Sequence, residues 1–243
     1  MMNKILLVTG ASSDIGTALI RKVHVNYGAI FAHYTNSVDR VSILRNEIGD
    51  KVIPIQADFS NEESTALFSK TIIEGNAIPS HFVHLSASLL RNEKFHKTKW
   101  AYFEHELSVS FRSGVIISQT ILPYMAKTKY GKIIFMLSYN TINQPPVKYS
   151  TTYTCTKYAL LGLMKTLSAE YADKGIMING VSPSMIETRF LSSVPELIIQ
   201  KNAANSPLKR NLAVDDVIPT FEYLLSAASD AITGQNIAIT GGN

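Results

Sequence analysis

Short apolar segments typical of strands alternate with amphipathic segments typical of helices along this 243-residue chain. Short connections between such segments favour right-handed strand–helix–strand units and a parallel sheet. The sequence therefore predicts a doubly wound α/β fold, with a single parallel sheet of about seven strands and helices on both faces. The predicted strands are residues 5–9, 29–34, 51–57, 81–86, 132–137, 176–181 and 236–240. The predicted helices are residues 15–27, 38–48, 62–74, 99–127 with a break near His105, 152–173 and 214–226.

The composition gives no sign of a domain boundary. A hydrophobic content of 46% over 243 residues suits one large core. No linker, internal repeat or low-complexity segment interrupts the chain, so we expect a single domain over residues 1–243. The longest irregular stretch is residues 184–210, and a loop of that length in a compact domain is usually functional. We predict that this stretch is functional, as a lid would be.

Charge, cysteine and histidine content argue against several classes of function. The net charge is +4 and the basic residues are dispersed, which argues against nucleic-acid binding. A single cysteine excludes an internal disulfide, and the six histidines show no metal-binding spacing, so no metal is expected. The apolar run near the N-terminus is too short for a signal peptide or a membrane span. We therefore expect a cytoplasmic protein with no membrane association.

A glycine-rich turn joins the first predicted strand to the first predicted helix, and residues 9–16 read T-G-A-S-S-D-I-G. Gly10 permits a tight turn, and Gly16 permits close packing of the helix on the strand. The helix N-terminus offers free N–H groups to a pyrophosphate, and Ser12 and Ser13 could add hydroxyl donors. Asp14 is expected to cap the helix and to point away from the phosphate. The alternative is an ordinary strand–helix turn, in which glycine and serine are common.

Tyr153 and Lys157 are four residues apart in the predicted helix 152–173 and therefore share one helical face. An ammonium group beside a phenol favours the phenolate, and lowering the phenol pKa by two or three units requires about 3–4 kcal/mol. Such a pair also occurs on solvated helix faces. Ser138 follows the predicted strand 132–137, at the edge of the sheet where the glycine turn lies. Ligands bind at that edge of an open parallel sheet.

These motifs resemble those of the short-chain dehydrogenase/reductase family, and the nearest type is the 3-oxoacyl-carrier-protein reductase-like branch. The turn at Gly10 resembles T-G-x-x-x-G-x-G, and residues 183–188, P-S-M-I-E-T, resemble the P-G-x-x-x-T turn that holds the nicotinamide carboxamide. The resemblance extends over nearly the whole chain and implies a Rossmann-type fold. It also implies hydride transfer between a nicotinamide cofactor and a carbonyl or alcohol carbon.

The resemblance carries the family's functional roles onto particular residues of this chain. It implies that Tyr153 exchanges the hydroxyl proton, that Lys157 lowers the pKa of Tyr153, and that Ser138 hydrogen-bonds the substrate oxygen. Ser110 occupies the position of the family asparagine that supports a proton-relay water. Asp58 matches the aspartate that contacts adenine. The residues expected to bind the cofactor are Gly10, Ser12, Ser13, Ile15, Gly16, Thr35, Asn36, Ser37, Asp58, Ser86, Ala87, Tyr153, Lys157, Pro183, Ile186 and Thr188.

The chain departs from the family pattern at several positions. Asp14 replaces the middle glycine of the turn, and Ser184 replaces the glycine that follows Pro183. Ser110 offers shorter reach than asparagine and no amide. The family's N-N-A-G reads L-S-A-S at residues 85–88, so its main chain can still line the cofactor cleft, whereas the asparagine hydrogen bonds to the sheet cannot form. These departures predict an active enzyme with slower resupply of protons.

The end of the second predicted strand bears on the choice of cofactor. NAD-dependent enzymes of this fold usually place an acidic residue there, on the ribose 2′-hydroxyl. This chain instead has Thr35, Asn36 and Ser37, and Asp39 is the first carboxylate to follow. A 2′-phosphate would meet hydroxyl and amide donors, with Arg40 in reach. The sequence predicts NADP(H) over NAD(H), and the alternative is a plain polar turn.

Two functional hypotheses follow from the sequence. The first is an NADP(H)-dependent oxidoreductase that acts on a small-molecule carbonyl or alcohol substrate, such as a 3-oxoacyl compound or another ketone. The second is a catalytically weak or inactive NADP(H)-binding sensor or scaffold, which the changes at Ser110 and residues 85–88 motivate. By analogy with the family, apolar content in residues 99–127 and 152–173 predicts a homotetramer or homodimer.

Overall fold

The computed structural model describes residues 4–74, 77–143 and 146–242. Seven strands form one sheet in the order β3-β2-β1-β4-β5-β6-β7, and every neighbouring pair is parallel. The predicted fold class is therefore confirmed. The strands are β1 (Ile5–Thr9), β2 (Ala29–Tyr34), β3 (Val52–Gln56), β4 (His81–His84), β5 (Gly131–Met136), β6 (Ile176–Pro183) and β7 (Asn236–Ile239).

Helices cover both faces of this sheet. They are α1 (Asp14–Val23), α2 (Val38–Ile48), α3 (Glu62–Thr71), α4 (Trp100–Glu106), α5 (Ser113–Thr128), α6 (Thr151–Tyr171), α7 (Glu196–Asn205) and α8 (Val214–Leu225). Helices α1, α2 and α8 pack on one face, and α3, α5 and α6 pack on the other. Successive side chains of a strand point to opposite faces, so Leu6 and Val8 enter the first core and Leu7 the second. This explains why the strands read as continuous apolar runs.

The order of the strands places the site. Strand β1 lies between β2 and β4, so the chain winds in opposite directions from the centre of the sheet. Such a switch point opens a crevice at the carboxyl ends of the strands. In the register of the sheet, Thr9 lies opposite His84, and Met136 lies opposite Val181. The segments that follow these residues therefore meet at one edge of the sheet.

The long predicted helix 99–127 forms one helical region with a change of hydrogen bonding in its first half. Helix α4 ends at Glu106, a π-helical segment covers Leu107–Arg112, and α5 continues from Ser113. The expected break near His105 is therefore a π-helical segment that begins at Leu107 rather than an interruption. Wider turns of this kind occur frequently at functional sites.

Residues 184–210 are more ordered than the sequence predicts. The expectation of one irregular stretch is wrong, because α7 occupies ten of these residues and a short 3₁₀ turn covers Arg189–Leu191. Main-chain hydrogen bonds from Glu187 to Leu212 and from Leu212 to Met185 fasten the base of the segment. Weak apolar periodicity in Glu196–Asn205, which has no fully buried residue, explains why the helix escapes a search for amphipathic pattern. Within the described part of the chain, no helix is long and apolar enough to cross a membrane.

Candidate active site

The glycine turn is held tightly against the sheet. Gly10 has a φ of +66°, which favours glycine, and its N–H donates to Nδ1 of His33 at 3.0 Å. A Cβ on Gly16 would lie 2.5 Å from the carbonyl oxygen of Gly10, so only glycine fits where α1 crosses the turn. The Ser13 hydroxyl accepts from the Gly16 N–H at 3.0 Å and caps α1. Ser13 is thus a helix cap in this structure, a role that the sequence assigned to Asp14.

The expected role of Asp14 as the helix cap is wrong, because its carboxylate is engaged by two arginines. Arg40 donates to Oδ1 of Asp14 at 2.6 Å, and Nε of Arg189 lies 3.3 Å from the same oxygen. The Arg189 main-chain N–H donates to Oδ2 at 2.9 Å. The Arg189 side chain also donates to the Ser12 carbonyl oxygen at 3.1 Å. Asp14 therefore ties the glycine turn to the segment that follows β6.

The polar residues after β2 lie beside this arginine. Ser37 lines the same cleft as Ser13 and Asp14, whereas Thr35 and Asn36, which precede it, do not. Arg40 also donates to the Thr17 hydroxyl at 3.2 Å, so its guanidinium is fixed near the N-terminus of α1. No carboxylate precedes Asp39 in this turn.

Asp58 is exposed and lies two residues after the end of β3. Its carboxylate accepts from the main-chain N–H and the hydroxyl of Ser60 at 2.9 and 2.7 Å. These hydrogen bonds stabilise the charged form and lower the pKa of Asp58. An ionised, exposed acceptor at this position is compatible with contact to an adenine amino group.

Ser138, Tyr153 and Lys157 converge at the carboxyl end of β5. Ser138 directly follows the last buried residues of that strand, and Tyr153 and Lys157 lie on one face of α6, as their spacing predicts. Lys157 is 1% exposed, donates to the Met136 carbonyl oxygen at 2.8 Å, and its Nζ lies 5.4 Å from the centre of the Tyr153 ring. Ser138 hydrogen-bonds to the Tyr153 phenol. Asn140 donates its main-chain N–H to the Ser138 hydroxyl at 3.2 Å and so orients it.

The predicted lowering of the Tyr153 pKa is not found. Burial raises the pKa of Tyr153 to about 12, the Ser138 hydrogen bond lowers it, and the charge of Glu106 raises it further. Burial also lowers the pKa of Lys157 to about 8, against an opposing effect of Glu106. Desolvation disfavours the charged form of each group and is the largest cause of both shifts. The phenol is therefore protonated at neutral pH, which suits the donation of a proton to a substrate oxygen.

These residues line a cleft of about 780 Å³. Apolar side chains from several loops form much of its wall, including Leu89, Leu90, Val147 and Phe190. Of the residues predicted to act in catalysis or to bind the cofactor, the cleft wall contains Ser13, Ile15, Ser37, Ala87, Ser138, Tyr153, Lys157, Pro183, Ile186 and Thr188.

The other predicted site residues do not form the wall of this cleft. Gly10 and Gly16 lie within the turn itself, where a Cβ would stand 3.3 Å from the main chain of Leu85 and Ser86 at Gly10 and 2.5 Å from the Gly10 carbonyl oxygen at Gly16. Ser86 is buried beside Gly10, and its hydroxyl has no partner among the described residues. The remaining residues outside the wall are Ser12, Thr35, Asn36, Asp58 and Ser110.

Ser110 lies behind the cleft and is fully buried within the π-helical segment. Its carbonyl oxygen accepts from Nε2 of His84 at 2.7 Å, and Nδ1 of His84 pairs with the Thr9 hydroxyl at 2.8 Å. Its hydroxyl donates to Oε1 of Glu106 at 3.1 Å. The sequence analysis missed both His84 and Glu106. The π-helical segment hides Glu106, because ordinary helical spacing does not show which side chain faces α6.

The segment after β6 closes one side of the cleft. The Phe190 ring lies 5.8 Å from the Tyr153 ring, centre to centre, and the Ser193 hydroxyl donates to the Leu90 carbonyl oxygen at 2.5 Å. The sequence also predicts that the loop between Ser138 and Tyr153, which contains Pro145 and Pro146, shapes the substrate pocket, and Pro145 lies outside the described residues. Over the described ranges, no group of His, Cys, Asp and Glu side chains has the geometry of a metal site.

Comparisons with known proteins agree on one family. The family model described as enoyl-(acyl carrier protein) reductase matches residues 10–243. Nodulation protein G of Azospirillum brasilense is 28% identical over 246 residues, covering 100% of this chain and 98% of the relative. The 3-oxoacyl-[acyl-carrier-protein] reductase FabG of Aquifex aeolicus (strain VF5) is 28% identical over 251 residues, covering 100% of this chain and 98% of the relative.

Solved structures show the same fold. ElxO with NADP bound has a TM-score of 0.86 at 24% identity, and the alignment covers 99% of this chain and 98% of ElxO. Acetoin dehydrogenase YohF from Salmonella typhimurium has a TM-score of 0.86 at 22% identity, covering 99% of this chain and 97% of YohF. The likeness extends over the whole sheet and confirms the Rossmann-type architecture. This chain belongs to the short-chain dehydrogenase/reductase family, whose members are oxidoreductases that act on alcohol and carbonyl groups.

Proposed function

We propose that this protein is an NADP(H)-dependent oxidoreductase that reduces a carbonyl substrate. The observation that carries the proposal is the convergence of Ser138, Tyr153 and Lys157 in one cleft with the glycine turn and the turn at Pro183. A hydroxyl, a phenol and a buried ammonium group are the donors that a carbonyl oxygen needs as it gains negative charge.

The residues around the cleft fit a dinucleotide. Gly10 and Gly16 carry no side chain where the turn meets α1, so main chain and helix N-terminus lie close together, and a helix N-terminus favours phosphate. The unpartnered Ser86 hydroxyl lies beside this turn. We assign the pyrophosphate to residues 12–16, the adenine to Asp58, and the nicotinamide to the segment Pro183–Thr188, which includes Ile186. A preference for NADP(H) is supported by Thr35, Asn36, Ser37 and the fixed guanidinium of Arg40.

The proposed chemistry uses a proton that Tyr153 holds. When bound, the nicotinamide supplies the hydride that reduces the carbonyl carbon. Ser138 donates a hydrogen bond to the carbonyl oxygen, and Tyr153 transfers its phenolic proton to that oxygen. The resulting phenolate lies beside the Lys157 ammonium, which stabilises it. The raised pKa keeps Tyr153 protonated over the neutral range, as the donation of its proton during reduction requires.

A 3-oxoacyl compound or another apolar ketone is the proposed substrate. The Aquifex aeolicus relative carries the name 3-oxoacyl-[acyl-carrier-protein] reductase and matches the chain from end to end. The wall formed by Leu89, Leu90, Val147 and Phe190 suits an apolar acyl chain. We assign residues 184–210 as the substrate lid, because Phe190 contacts Tyr153 from that segment.

The direct test is Tyr153→Phe, which removes the phenolic hydroxyl and leaves the ring. We expect turnover of a panel of ketones and 3-oxoacyl thioesters with NADPH to fall by about 10²-fold or more, with unchanged NADPH affinity. The matched control is Tyr158→Phe on an exposed position of the same helix, which should retain activity. Full activity of Tyr153→Phe would refute the proposed mechanism. Tight NADPH binding without turnover of any carbonyl would favour a sensor or scaffold instead.

The cofactor preference is tested by kcat/KM for NADPH and NADH with one substrate. We expect a higher value for NADPH, and a reduced NADPH-to-NADH ratio of kcat/KM in Arg40→Ala, because that change removes the proposed contact with the 2′-phosphate. A higher value for NADH would overturn the assignment.

We also propose a homotetramer or homodimer, by analogy with the family. Light scattering at micromolar concentration tests this, and a monomer would contradict it. The cytoplasmic location stays a prediction from the sequence.

A further inference from the structure

Asn140 joins the turn that carries Ser138 to the helix that carries Tyr153. It lies two residues after Ser138, is 6% exposed and forms part of the cleft wall. Its main-chain N–H donates to the Ser138 hydroxyl oxygen at 3.2 Å. Its side-chain amide donates to the hydroxyl oxygen of Thr154, on α6, at 2.9 Å. One residue therefore contacts both the hydroxyl proposed to bind the substrate oxygen and the immediate neighbour of Tyr153.

The side-chain amide of Asn140 completes a hydrogen-bond network at the start of α6. Its Nδ2 also donates to the Ser150 hydroxyl oxygen at 3.3 Å. Ser150 gives its one hydroxyl proton to the Val147 carbonyl oxygen at 2.8 Å, so its oxygen accepts from its other neighbours. The hydroxyl groups of Ser150 and Thr154 lie 3.1 Å apart, which closes the network. A buried network in which each member is hydrogen-bonded is rigid, so it fixes Asn140 against α6.

The main-chain hydrogen bond from Asn140 determines how the Ser138 hydroxyl is used. A hydroxyl group offers one proton and two lone pairs. The N–H of Asn140 occupies one lone pair, which leaves the proton of Ser138 to an oxygen atom in the cleft. A hydrogen bond that a hydroxyl oxygen accepts also polarises its O–H group. Movement of Asn140 would therefore change both the direction and the strength of the bond that Ser138 donates.

The neighbouring Thr141 holds the main chain of the same turn rather than its hydroxyl. Its main-chain N–H and its hydroxyl both donate to the Ser138 carbonyl oxygen, at 2.9 and 2.7 Å. The Thr141 hydroxyl also accepts from the amide of Asn236, in β7, at 3.1 Å. Thr141 thus anchors the turn to the sheet, whereas Asn140 anchors it to α6.

We propose that Asn140 is a positioning residue whose side chain holds the Ser138 hydroxyl in place relative to Tyr153. The inference rests on the proposed roles of Ser138 and Tyr153. Residues 139–152 separate these two in the chain, and the amide of Asn140 links the two ends of that loop directly. A displacement of about 1 Å near the reacting atoms can cost about 10²-fold in rate. Loss of the amide should therefore slow the chemical step rather than weaken substrate binding.

The experiment breaks the same hydrogen bond from its two ends. Asn140→Ala removes the amide, and Thr154→Val removes the hydroxyl while it keeps the shape of the side chain. With NADPH and a ketone that the wild type reduces, we expect kcat to fall by about 10-fold in each variant, with KM and NADPH affinity unchanged. The double variant should lose no more than the more impaired single variant, because both changes remove one contact.

Two controls separate positioning from packing. Thr154→Ser keeps the hydroxyl and loses only a methyl group, so it should retain the kcat of the wild type. Thr166→Val makes the same replacement as Thr154→Val at an exposed position of α6 and should also retain it. The proposal would be overturned by a wild-type kcat in Asn140→Ala, by additive losses in the double variant, or by equal losses in Thr154→Ser and Thr154→Val.

A structural readout needs no turnover and so separates this proposal from the proposed function. Crystal structures of the wild type and of Asn140→Ala report the χ1 angle of Ser138. We expect one rotamer in the wild type and a changed or mixed rotamer in the variant, even if no carbonyl compound is reduced. Thr154→Val takes its place in the comparison if Asn140→Ala does not fold. The same single rotamer in both structures would refute the role of Asn140.

Discussion

Gly16 illustrates at the scale of one residue why the glycine turn has its composition. The carbonyl oxygen of Gly10 and the main chain of Ala11 lie within 3 Å of the place where a Cβ would stand. Main-chain atoms cannot rotate away as a side chain can. The glycine therefore allows α1 to approach the turn closely enough to direct its N-terminus at the cleft.

We predict that Gly16→Ala destabilises the protein by about 1–3 kcal/mol, because the added methyl group overlaps main-chain atoms. For a chain of this length, each kcal/mol lowers the Tm by about 2–4 °C. Thermal unfolding and NADPH binding should both be measured, and both should be weakened. The matched control is Gly162→Ala in α6, where a Cβ meets no atom within 4 Å. That change should stabilise the helix by about 0.5–1 kcal/mol, and equal effects at the two sites would contradict the argument.

Tyr153 and Lys157 illustrate a different lesson at the same scale. Their spacing correctly predicts a shared helical face, yet the pKa of the phenol moves up rather than down. The direction depends on how much water surrounds each group and on the charge of Glu106. Neither quantity can be obtained from a separation of four residues.

At the scale of elements, the segment after β6 is fastened to the start of α1 by a cluster of charges. The Asp14 carboxylate accepts a hydrogen bond from the Arg40 guanidinium and another from the main-chain N–H of Arg189. It also forms an ion pair with the Arg189 guanidinium. Asp14 is 23% exposed and Arg40 is 26% exposed, so solvent screens the ion pair between them only in part, whereas Arg189 is 60% exposed and its ion pair is screened more strongly. The substitution of aspartate for the middle glycine of the family motif thus has a structural partner 175 residues away in the chain.

We predict that Asp14→Ala loosens this connection. Amide hydrogen exchange at Arg189 and Leu191 should become about 5-fold faster, which corresponds to a loss of about 1 kcal/mol from partly exposed ion pairs. Mass spectrometry of peptides that cover residues 186–194 measures the effect. Asp39→Ala, which removes an exposed acid from the first turn of α2, is the control and should leave those peptides unchanged. Equal exchange in the wild type and Asp14→Ala would show that the lid does not depend on this contact.

At the scale of the whole molecule, three buried histidines connect separate parts of the sheet in their neutral form. His33 links the Gly10 N–H to the Ala57 carbonyl oxygen, and His84 links Thr9 to Ser110. His81 pairs with the hydroxyl groups of Tyr27 and Tyr130. Burial lowers the pKa of His33 to about 4 and the pKa values of His81 and His84 to about 3.

The lowered pKa values of these three histidines predict that the protein loses stability in mild acid. Between pH 6.5 and the folded-state values, the unfolded chain binds protons that the native protein does not, so the free energy of unfolding falls as the pH falls. From pH 7 to pH 5 the loss should be about 2 kcal/mol for each histidine. Urea unfolding at several pH values measures the slope. His33→Gln should reduce the dependence of the unfolding free energy on pH by the equivalent of about one proton taken up on unfolding. His96 is exposed, so His96→Gln should not change that dependence. A flat profile would contradict the neutral assignment.

The local sequence determined most of the architecture. Apolar runs set the strands, and their alternation with amphipathic segments set the parallel sheet, because side-chain period and chain reach are local properties. Gly10, Ser138 and the turn at Pro183 could be placed at one edge in the same way, since parallel strands end together.

Tertiary structure alone decided which side chains meet from distant elements. It brought the Ser110 hydroxyl to the Glu106 carboxylate, paired Asp14 with Arg189, folded α7 within the lid and reversed the expected shift of the Tyr153 pKa. These outcomes depend on burial and on distances between helices, and a π-helical segment before α5 changes which face of the chain points inward. Desolvation and contact are properties of the packed molecule, so the pattern of residues along the chain does not contain them.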